Sequence, residues 1–352
     1  MTYRVAQWGT GNVGRHALRM IIERPNLDLV GLRVYDPAKV GVDAGNFVGM
    51  APVGVSATDD SETILALDAD CVNYNALGAE SNNDALGDIT RILASGKNVV
   101  SSAGADYAYV RPDVSIDPDG HRKLVEACHQ GETSFYMGGI NPGFAMDQWP
   151  IALSRLCRRI ERMHVTEIVD CRGYDSSLMQ GTMGFGLPPE AESPLDRHLS
   201  NVTNTTFYLS LRMLADAIGL KLDDVKYSRE AATTDVPLDG VVGRYEPGTI
   251  VAQRLRIDGI VDGEPRLSLF WVWRLTDDVA PEWPRSGFKW LFKVEGDPDI
   301  DSEIELDTAT DAGRPTSLTT AALLINALPA VCDAQPGLID NLTLAPHSGR
   351  AL

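Results

Sequence analysis

The chain opens with Tyr3-Arg4-Val5-Ala6-Gln7-Trp8, which leads directly into Gly9-Thr10-Gly11-Asn12-Val13-Gly14. The first run is typical of a strand, and apolar residues at helical spacing follow the second run. In this setting Gly9 would permit a tight turn, Gly11 would let the backbone approach a pyrophosphate, and Gly14 would let the helix pack on the strand. The helix N-terminus would present free N–H groups to the phosphates. We therefore predict a dinucleotide-binding loop that includes Thr10, Asn12 and Val13.

A second predicted strand supports this interpretation of the loop. The apolar helical pattern stops at Pro25, and residues 27–35 form a strand that ends at Asp36. An acid about 20 residues beyond the glycines is the expected partner of the adenosine ribose hydroxyls. The loop and the acid together predict bound NAD or NADP. The alternative is an ordinary tight turn followed by a solvated strand end.

Composition limits the class of protein. A length of 352 residues suggests two domains, and 44% apolar with 23% charged residues is typical of a soluble globular chain. The formal net charge of −18 argues against a nucleic-acid or anionic-membrane partner. No apolar run approaches the roughly 18 residues that span a bilayer, and the sequence begins with a strand rather than a leader. We expect a cytoplasmic protein.

The cysteines and histidines do not predict a metal site. The five cysteines are dispersed without a C-x-x-C pair, and the six histidines lack ligand spacing. Such a set is a poor disulfide framework and a poor zinc site, so reduced thiols and no metal are expected.

Strand and helix patterns alternate over the first part of the chain. Short β segments at 70–74 and 98–102 are separated by helical patterns, and Asp117-Pro118 opens a helix that Gly131 closes. This alternation predicts an α/β domain with a doubly wound parallel sheet, over residues 1–140.

The pattern changes in the second part. Long β segments at 249–260 and 266–275 flank Val261-Asp262-Gly263-Glu264, a hairpin signal. We predict an α+β domain with a largely antiparallel curved sheet over residues 141–315. Four apolar residues of one strand share a face that either helices or a second subunit must cover, and we predict a homodimer. These residues are Leu267, Leu269, Trp271 and Trp273.

Candidate site residues follow the predicted strands, because ligands of open parallel sheets bind beyond the carboxyl ends of the strands. Asn75 and Ser102 follow two such strands and are predicted cofactor contacts. Asn141 could hold the nicotinamide edge, cap a helix that begins at Pro142, or do both. Tyr174 could offer a hydroxyl to the substrate or pack in the wall of the pocket.

Two cations near Asp36 bear on the choice of cofactor. Lys39 and Arg33 could meet the 2′-phosphate of NADP, although surface charge is the ordinary role of each. His164, His198 and Trp149 are assigned structural roles.

Several motifs, in order along nearly the whole chain, resemble one family. It is the dihydrodipicolinate-reductase-like group that contains the 2,4-diaminopentanoate dehydrogenases and the native amine dehydrogenases. The matching segments are Trp8 to Gly14, Asp36 to Gly45, Ser95 to Ser101, Gly139 to Phe144 and Ala334 to Leu338. The resemblance implies a Rossmann domain, a curved dimerisation domain, and a C-terminal helix and tail over 316–352 that return to the first domain.

The chain departs from both branches of this group at catalytic positions. True dihydrodipicolinate reductases carry paired histidines followed by a lysine, whereas His164 stands alone here. Amine dehydrogenases place a glutamate after the Val-Val-Ser strand, in a pattern like S-T-x-E-E-L-x-Y-P. A one-residue insertion overlays Asp106-Tyr107-Ala108-Tyr109 on E-L-x-Y, so Asp106 would replace the glutamate.

Reductive amination needs a group that moves protons beside the carbon that receives hydride. A carboxylate in an apolar pocket can serve if burial moves its pKa toward neutrality, and Asp106 is the candidate by position; a turn-capping acid is the alternative. The expected activity is an NAD(P)-dependent oxidoreductase acting on a small amine, or on the corresponding ketone with ammonia. The alternatives are a reductase of a C=N or C=O bond in another metabolite and a dinucleotide-binding sensor without catalysis.

Overall fold

A computed structural model describes residues 1–76, 82–174, 177–307 and 315–350. The chain divides into two compact units. The first unit comprises Met1–Phe144 and Thr316–Leu352, and the second unit comprises Ala145–Pro315.

The strands in the described residues are β1 (Tyr3–Trp8), β2 (Leu27–Arg33), β3 (Ala57–Thr58), β4 (Cys71–Tyr74), β5 (Asn98–Ser101), β6 (Ser134–Met137), β7 (Arg159–Asp170), β8 (Asp224–Thr233), β9 (Leu238–Gly240), β10 (Gly243–Tyr245), β11 (Ile250–Val261), β12 (Glu264–Arg274), β13 (Phe288–Asp297), β14 (Ile300–Glu305) and β15 (Gly337–Ile339).

The α-helices in the same residues are α1 (Asn12–Glu23), α2 (Ser61–Leu65), α3 (Asn82–Ala94), α4 (Pro118–Gly131), α5 (Trp149–Ser154), α6 (Ser177–Met183), α7 (Pro194–Ser200), α8 (Thr206–Ala217) and α9 (Pro315–Cys332).

The sheet of the first unit has the order β15-β6-β5-β4-β1-β2-β3, and all of its pairs are parallel. The order reverses beside β1, which is the arrangement of a doubly wound dinucleotide-binding fold. Apolar clusters pack on the sheet, with Trp8 and Phe135 in one and Val5 and Leu324 in another. The predicted parallel α/β sheet is confirmed. Strand β15, which pairs with β6, was not predicted.

Helix α9 is long and apolar enough to cross a membrane by length and composition alone. The sequence analysis found no such run. Ala321, Leu324, Ile325, Leu328 and Val331 are fully buried in the cluster that contains residues of β1 and α1. Burial in the core therefore accounts for the apolar character of this helix.

The sheet of the second unit has the order β14-β13-β7-β12-β11-β8. Its pairs are antiparallel except for β7 with β12. The hairpin between β11 and β12 is confirmed: Asp262 (φ 53°) and Gly263 (φ 80°) form its turn, and both have the positive φ that such a turn requires. Strands β8 and β14 and the short helices α6 and α7 were not predicted.

Helix α8 covers the apolar row of β12. Leu267, Leu269 and Trp271 are almost completely buried within the chain itself. Phe207 of α8 meets Trp271 edge to face, with ring centroids 4.4 Å apart. The inference that a second subunit covers this row is wrong, because the second unit buries the row on its own.

Candidate functional site

The glycine loop between β1 and α1 has the geometry that a dinucleotide requires. Gly9 has φ 98°, and a Cβ there would lie 2.9 Å from the Asn75 carbonyl oxygen. A Cβ on Gly14 would lie 2.3 Å from the Gly9 carbonyl oxygen, so only glycine lets α1 start this close to the turn. At Gly11 a Cβ would meet nothing within 4 Å. The space above Gly11 is therefore open, where the pyrophosphate of a dinucleotide would lie.

The N-terminus of α1 offers backbone donors to an anion. Gly11 is the N-cap, no side chain caps the helix, and its first turn holds no acidic residue. The first N–H groups of a helix have no intrahelical acceptor and carry the positive end of the helix dipole. Asn12 and Val13 belong to this first turn. The loop thus fits the phosphates of NAD or NADP.

A buried amide network supports the loop from below. Gln7 Nε2 donates to the Gly9 carbonyl at 2.9 Å and to Asn75 Oδ1 at 3.0 Å. Asn73 Nδ2 donates to Gln7 Oε1 at 2.7 Å and to Asn75 Oδ1 at 2.6 Å. Asn75 Nδ2 in turn donates to Ser102 Oγ at 3.0 Å. The network therefore joins Asn75 and Ser102, two predicted cofactor contacts, to the glycine loop.

Gln7 and Asn73 were not predicted as site residues. Both are fully buried, and they are neighbours in the register of β1 and β4. Strands buried on both faces normally read as apolar runs, so a polar residue inside each of two central strands is the signal that could have found them. Buried amides of this kind are held by hydrogen bonds.

Replacing Gln7 with leucine should destabilise the first unit. The change leaves the Gly9 carbonyl and the amides of Asn73 and Asn75 short of partners, at a cost of about 2–3 kcal/mol in the free energy of unfolding. Chemical denaturation followed by circular dichroism measures this cost. Gln130→Leu, on the exposed face of α4, is the control and should change it by less than about 0.5 kcal/mol. Equal effects of both variants would contradict a supporting role for Gln7.

The ribose end of the site holds an acid and a lysine. Asp36 Oδ1 accepts the Ala38 N–H at 3.0 Å, so the acid caps the short turn Pro37–Lys39. Lys39 Nζ lies 3.5 Å from Thr10 Oγ1 in the glycine loop. Arg33 stacks on the Tyr35 ring, with its guanidinium carbon 4.7 Å from the ring centroid. Lys39 is therefore a cation that the structure brings to the glycine loop.

The segment after β5 contains the predicted catalytic acid. Ser101 Oγ accepts the Ala103 N–H at 2.9 Å and donates to the Ala103 carbonyl at 2.8 Å. These two hydrogen bonds fix the backbone at the end of β5. Asp106 follows in the short turn Ala105–Tyr107 and is half-buried.

Tyr107 is a core residue of this turn rather than a site residue. Its hydroxyl donates to Asp117, the N-cap of α4. Burial raises the pKa of Tyr107, and the bond to Asp117 and the negative charges of Asp117 and Asp106 raise it further. The same hydrogen bond is the largest cause that lowers the pKa of Asp117. The bond to α4 thus fixes the turn that carries Asp106.

The loop after β6 differs from its prediction. Asn141, Pro142 and Gly143 have non-helical backbone angles, and Gly143 has φ 136°. The prediction that Asn141 caps a helix beginning at Pro142 is therefore wrong. The loop is instead held by the C-terminal part of the chain, since Thr320 Oγ1 accepts the Ile140 N–H at 3.3 Å and the Asn341 amide donates to the Gly143 carbonyl.

Tyr174 lies in the second unit, after β7. Its carbonyl accepts a hydrogen bond of 2.7 Å from the Gln180 side chain. Gln180 is buried and also accepts a hydrogen bond from the Tyr245 hydroxyl. A cavity of about 510 Å³ lies beside this pair, with Leu238 and Leu275 among its lining residues. The second unit thus carries a partly apolar cavity close along the chain to Tyr174.

The histidines, cysteines and acids in the described part of the chain form no group of three that could hold a metal ion. All five cysteines have free thiols.

The doubly wound sheet and its glycine loop define a dinucleotide-binding fold. The family model of the 2,4-diaminopentanoate dehydrogenase C-terminal domain matches residues 144–348. An amine dehydrogenase of Streptomyces virginiae is 34% identical over 97% of each chain. The protein therefore belongs to the family of amine dehydrogenases and 2,4-diaminopentanoate dehydrogenases, as the sequence motifs predict.

Two further relatives agree with this placement. A 2,4-diaminopentanoate dehydrogenase of Acetoanaerobium sticklandii is 23% identical over 95% of this chain and 91% of its own length. The structure of an amine dehydrogenase from Mycobacterium smegmatis matches with a TM-score of 0.75 at 18% identity, over 99% of this chain and 98% of that one. This structural similarity confirms the predicted fold.

Proposed function

We propose that the protein interconverts a small primary amine and the corresponding ketone, with ammonia as the nitrogen source and NAD or NADP as the redox partner. The observation that carries the proposal is Asp106, a half-buried carboxylate in the turn that follows β5. That turn lies beyond the carboxyl end of a parallel strand, where the reactive ring of a bound dinucleotide would lie. Membership of the amine dehydrogenase family supports the same assignment.

The chemistry assigns Asp106 a proton-transfer role. In the reductive direction a ketone, an ammonium ion and the reduced dinucleotide give an amine, water and the oxidised dinucleotide. The bound dinucleotide supplies the hydride. The ammonium ion must lose a proton before it attacks, and the carbinolamine oxygen must gain one to leave as water. One carboxylate that first accepts a proton and then donates it serves both needs.

Tyr174 and Asn141 are assigned supporting roles. We assign the Tyr174 hydroxyl to the substrate oxygen or nitrogen, and Asn141 to the nicotinamide edge. Asn75 and Ser102 lie at the ends of β4 and β5, and their mutual hydrogen bond supports a role on the nicotinamide side.

Dependence on ammonium tests the proposed function. We expect a screen of small ketones with both reduced cofactors to show turnover only when ammonium is present, followed by formation of the amine. Turnover without ammonium would favour a C=N or C=O reductase. Dinucleotide binding without any turnover would favour a sensor.

For the cofactor, we propose use of both NAD and NADP with a preference for NAD. The Asp36 carboxylate would bind the ribose hydroxyls and repel a 2′-phosphate, whereas Lys39 beside Thr10 would attract one. Asp36→Ser should raise the ratio of kcat/KM for NADP to that for NAD by about tenfold, because it removes a repulsion worth about 1.4 kcal/mol. Steady-state kinetics with both cofactors measures the ratio, and an unchanged ratio would show that Asp36 is not the selector.

We further propose a homodimer formed through the sheet face of the second unit that lies opposite α8. Phe270 is half-buried on this face, between Arg256 and His164, while the edge strand β14 presents Asp301 and Glu303. One face with both a basic and an acidic region can pair with a two-fold-related copy of itself. We expect a dimer by light scattering at micromolar concentration and a monomer for Phe270→Glu. A monomeric native protein would contradict this.

The net charge supports a proposal for what the enzyme does not bind, and the free thiols support one for its cellular compartment. The net charge of −18 supports a protein that binds neither nucleic acid nor anionic membranes. Five free thiols support a reducing compartment, so we assign the enzyme to the cytoplasm.

A further inference from the structure

A cavity of about 870 Å³ lies in the first unit, away from the glycine loop. It is bounded by the end of α1, the second half of α9, β15 and the tail 343–350. Arg24 lines it and directly follows α1, whose 12 residues place it about 18 Å along the helix axis from the phosphate-binding end. The cavity is therefore separate from the dinucleotide site.

Arg24 is a buried cation whose hydrogen-bond partner is neutral. Its side chain lines the cavity, and the residue is only 7% exposed. Its Nη2 donates to Asn326 Oδ1 at 2.7 Å, which is a neutral partner. Within the part of the chain that the structure describes, Arg24 forms no ion pair with a carboxylate. A buried charge is normally paired, and among the described residues no carboxylate balances this guanidinium.

Arg350 adds positive charge near Arg24, and it lines the cavity together with His347. Burial lowers the pKa of Arg24 first, and the charge of Arg350 lowers it further. The acid on the wall, Asp333, is engaged elsewhere, because both of its oxygens lie 2.9 Å from the Tyr3 hydroxyl.

We propose that this cavity binds a small organic carboxylate. The Arg24 guanidinium retains donors that can bind a carboxylate in the bidentate manner, and Arg350 adds charge at the exposed side. Ala330, Leu338, Leu344 and Pro346 form apolar walls for the hydrocarbon part of the ligand. We expect a monoanion to bind more tightly than a dianion. One buried guanidinium faces the cavity, and the Asp333 carboxylate in the cavity wall would repel a second negative charge.

Calorimetric titration with benzoate and butyrate at constant ionic strength tests the proposal. We expect both to bind the native protein, to bind Arg24→Met at least tenfold more weakly, and to bind Arg350→Ala several-fold more weakly. Arg122→Ala, on the exposed face of α4, is the matched control and should bind as the native protein does. Unchanged benzoate affinity in Arg24→Met would overturn the proposal. Inorganic phosphate that binds the native protein as tightly as benzoate would also overturn it.

Two further measurements separate this site from a structural role and from the dinucleotide site. Without ligand, Arg24→Met should melt at or above the native temperature, because a buried unpaired charge is replaced by an apolar chain of similar size. A clearly lower melting temperature would assign Arg24 a structural role instead. Saturating NADH should leave the benzoate affinity unchanged, and competition would overturn a separate site. If Arg24→Met does not fold, full benzoate affinity in Arg350→Ala overturns the proposal.

Discussion

Substituting valine for Gly11 is expected to abolish dinucleotide binding without disturbing the fold. Gly11 has ordinary extended backbone angles as the N-cap of α1, and a Cβ there meets nothing within 4 Å. Valine is therefore tolerated by the protein itself but occupies the space of the pyrophosphate. Hydrogen bonds to charged groups contribute about 1.5–3 kcal/mol each, so the loss of two should weaken binding by roughly a hundredfold or more.

Fluorescence titration with NADH and NADPH measures the affinity of the Gly11 variant, and thermal melting checks its fold. Gly87→Val is the matched control, because Gly87 lies on α3, where a Cβ likewise meets nothing within 4 Å. We expect Gly87→Val to bind both dinucleotides normally. Near-native affinity in Gly11→Val would show that the pyrophosphate lies elsewhere.

Exchanging Asp106 for asparagine is expected to lower turnover by roughly a hundredfold or more, the scale of a lost general acid or base. Asparagine keeps the size and polarity of the side chain but cannot carry a proton between ammonia and the carbinolamine. Dinucleotide affinity should remain, since the glycine loop and its amide network are untouched. The loss should appear in kcat, measured in steady-state assays with saturating ketone and ammonium.

The control for Asp106 is Asp113→Asn. Asp113 is an acid in the next short helical turn and pairs with Arg111 at the surface. Its variant should keep the native rate. If Asp106→Asn retains more than about half of the native rate, Asp106 is a turn residue, and the reductase and sensor alternatives gain over the amine dehydrogenase.

Elements with a short-range signal were predicted closely. Asp117 caps α4 as its position before Pro118 indicates, and the Asp262-Gly263 turn joins β11 to β12. Such signals are visible in sequence because a cap or a tight turn depends on a few consecutive residues. Short strands without alternation, such as β15, have no comparable signal, since β15 exists only through its pairing with β6.

The candidate site was predicted in part. The glycine loop, Asp36 and Lys39 follow from local motifs, and the structure places Lys39 against Thr10. The helix cap predicted at Asn141 does not form, and Thr320 and Asn341, from a distant part of the chain, hold that loop instead. The catalytic role of Asp106 stays a prediction.

By itself, the sequence determined the class of this protein. The order of strand, glycine loop, helix and acid specifies a dinucleotide-binding fold, because each of these features constrains the backbone locally. The motifs spread along the chain then specify the family.

Only the tertiary structure decided which polar and apolar groups have partners. Gln7 and Asn73 are 66 residues apart in sequence, yet they share one buried network. Helix α8 of the same unit covers the apolar row of β12, whereas the buried Arg24 guanidinium bonds to the neutral Asn326 side chain. Burial and hydrogen bonding depend on which distant segments the fold brings together, and no local pattern records that.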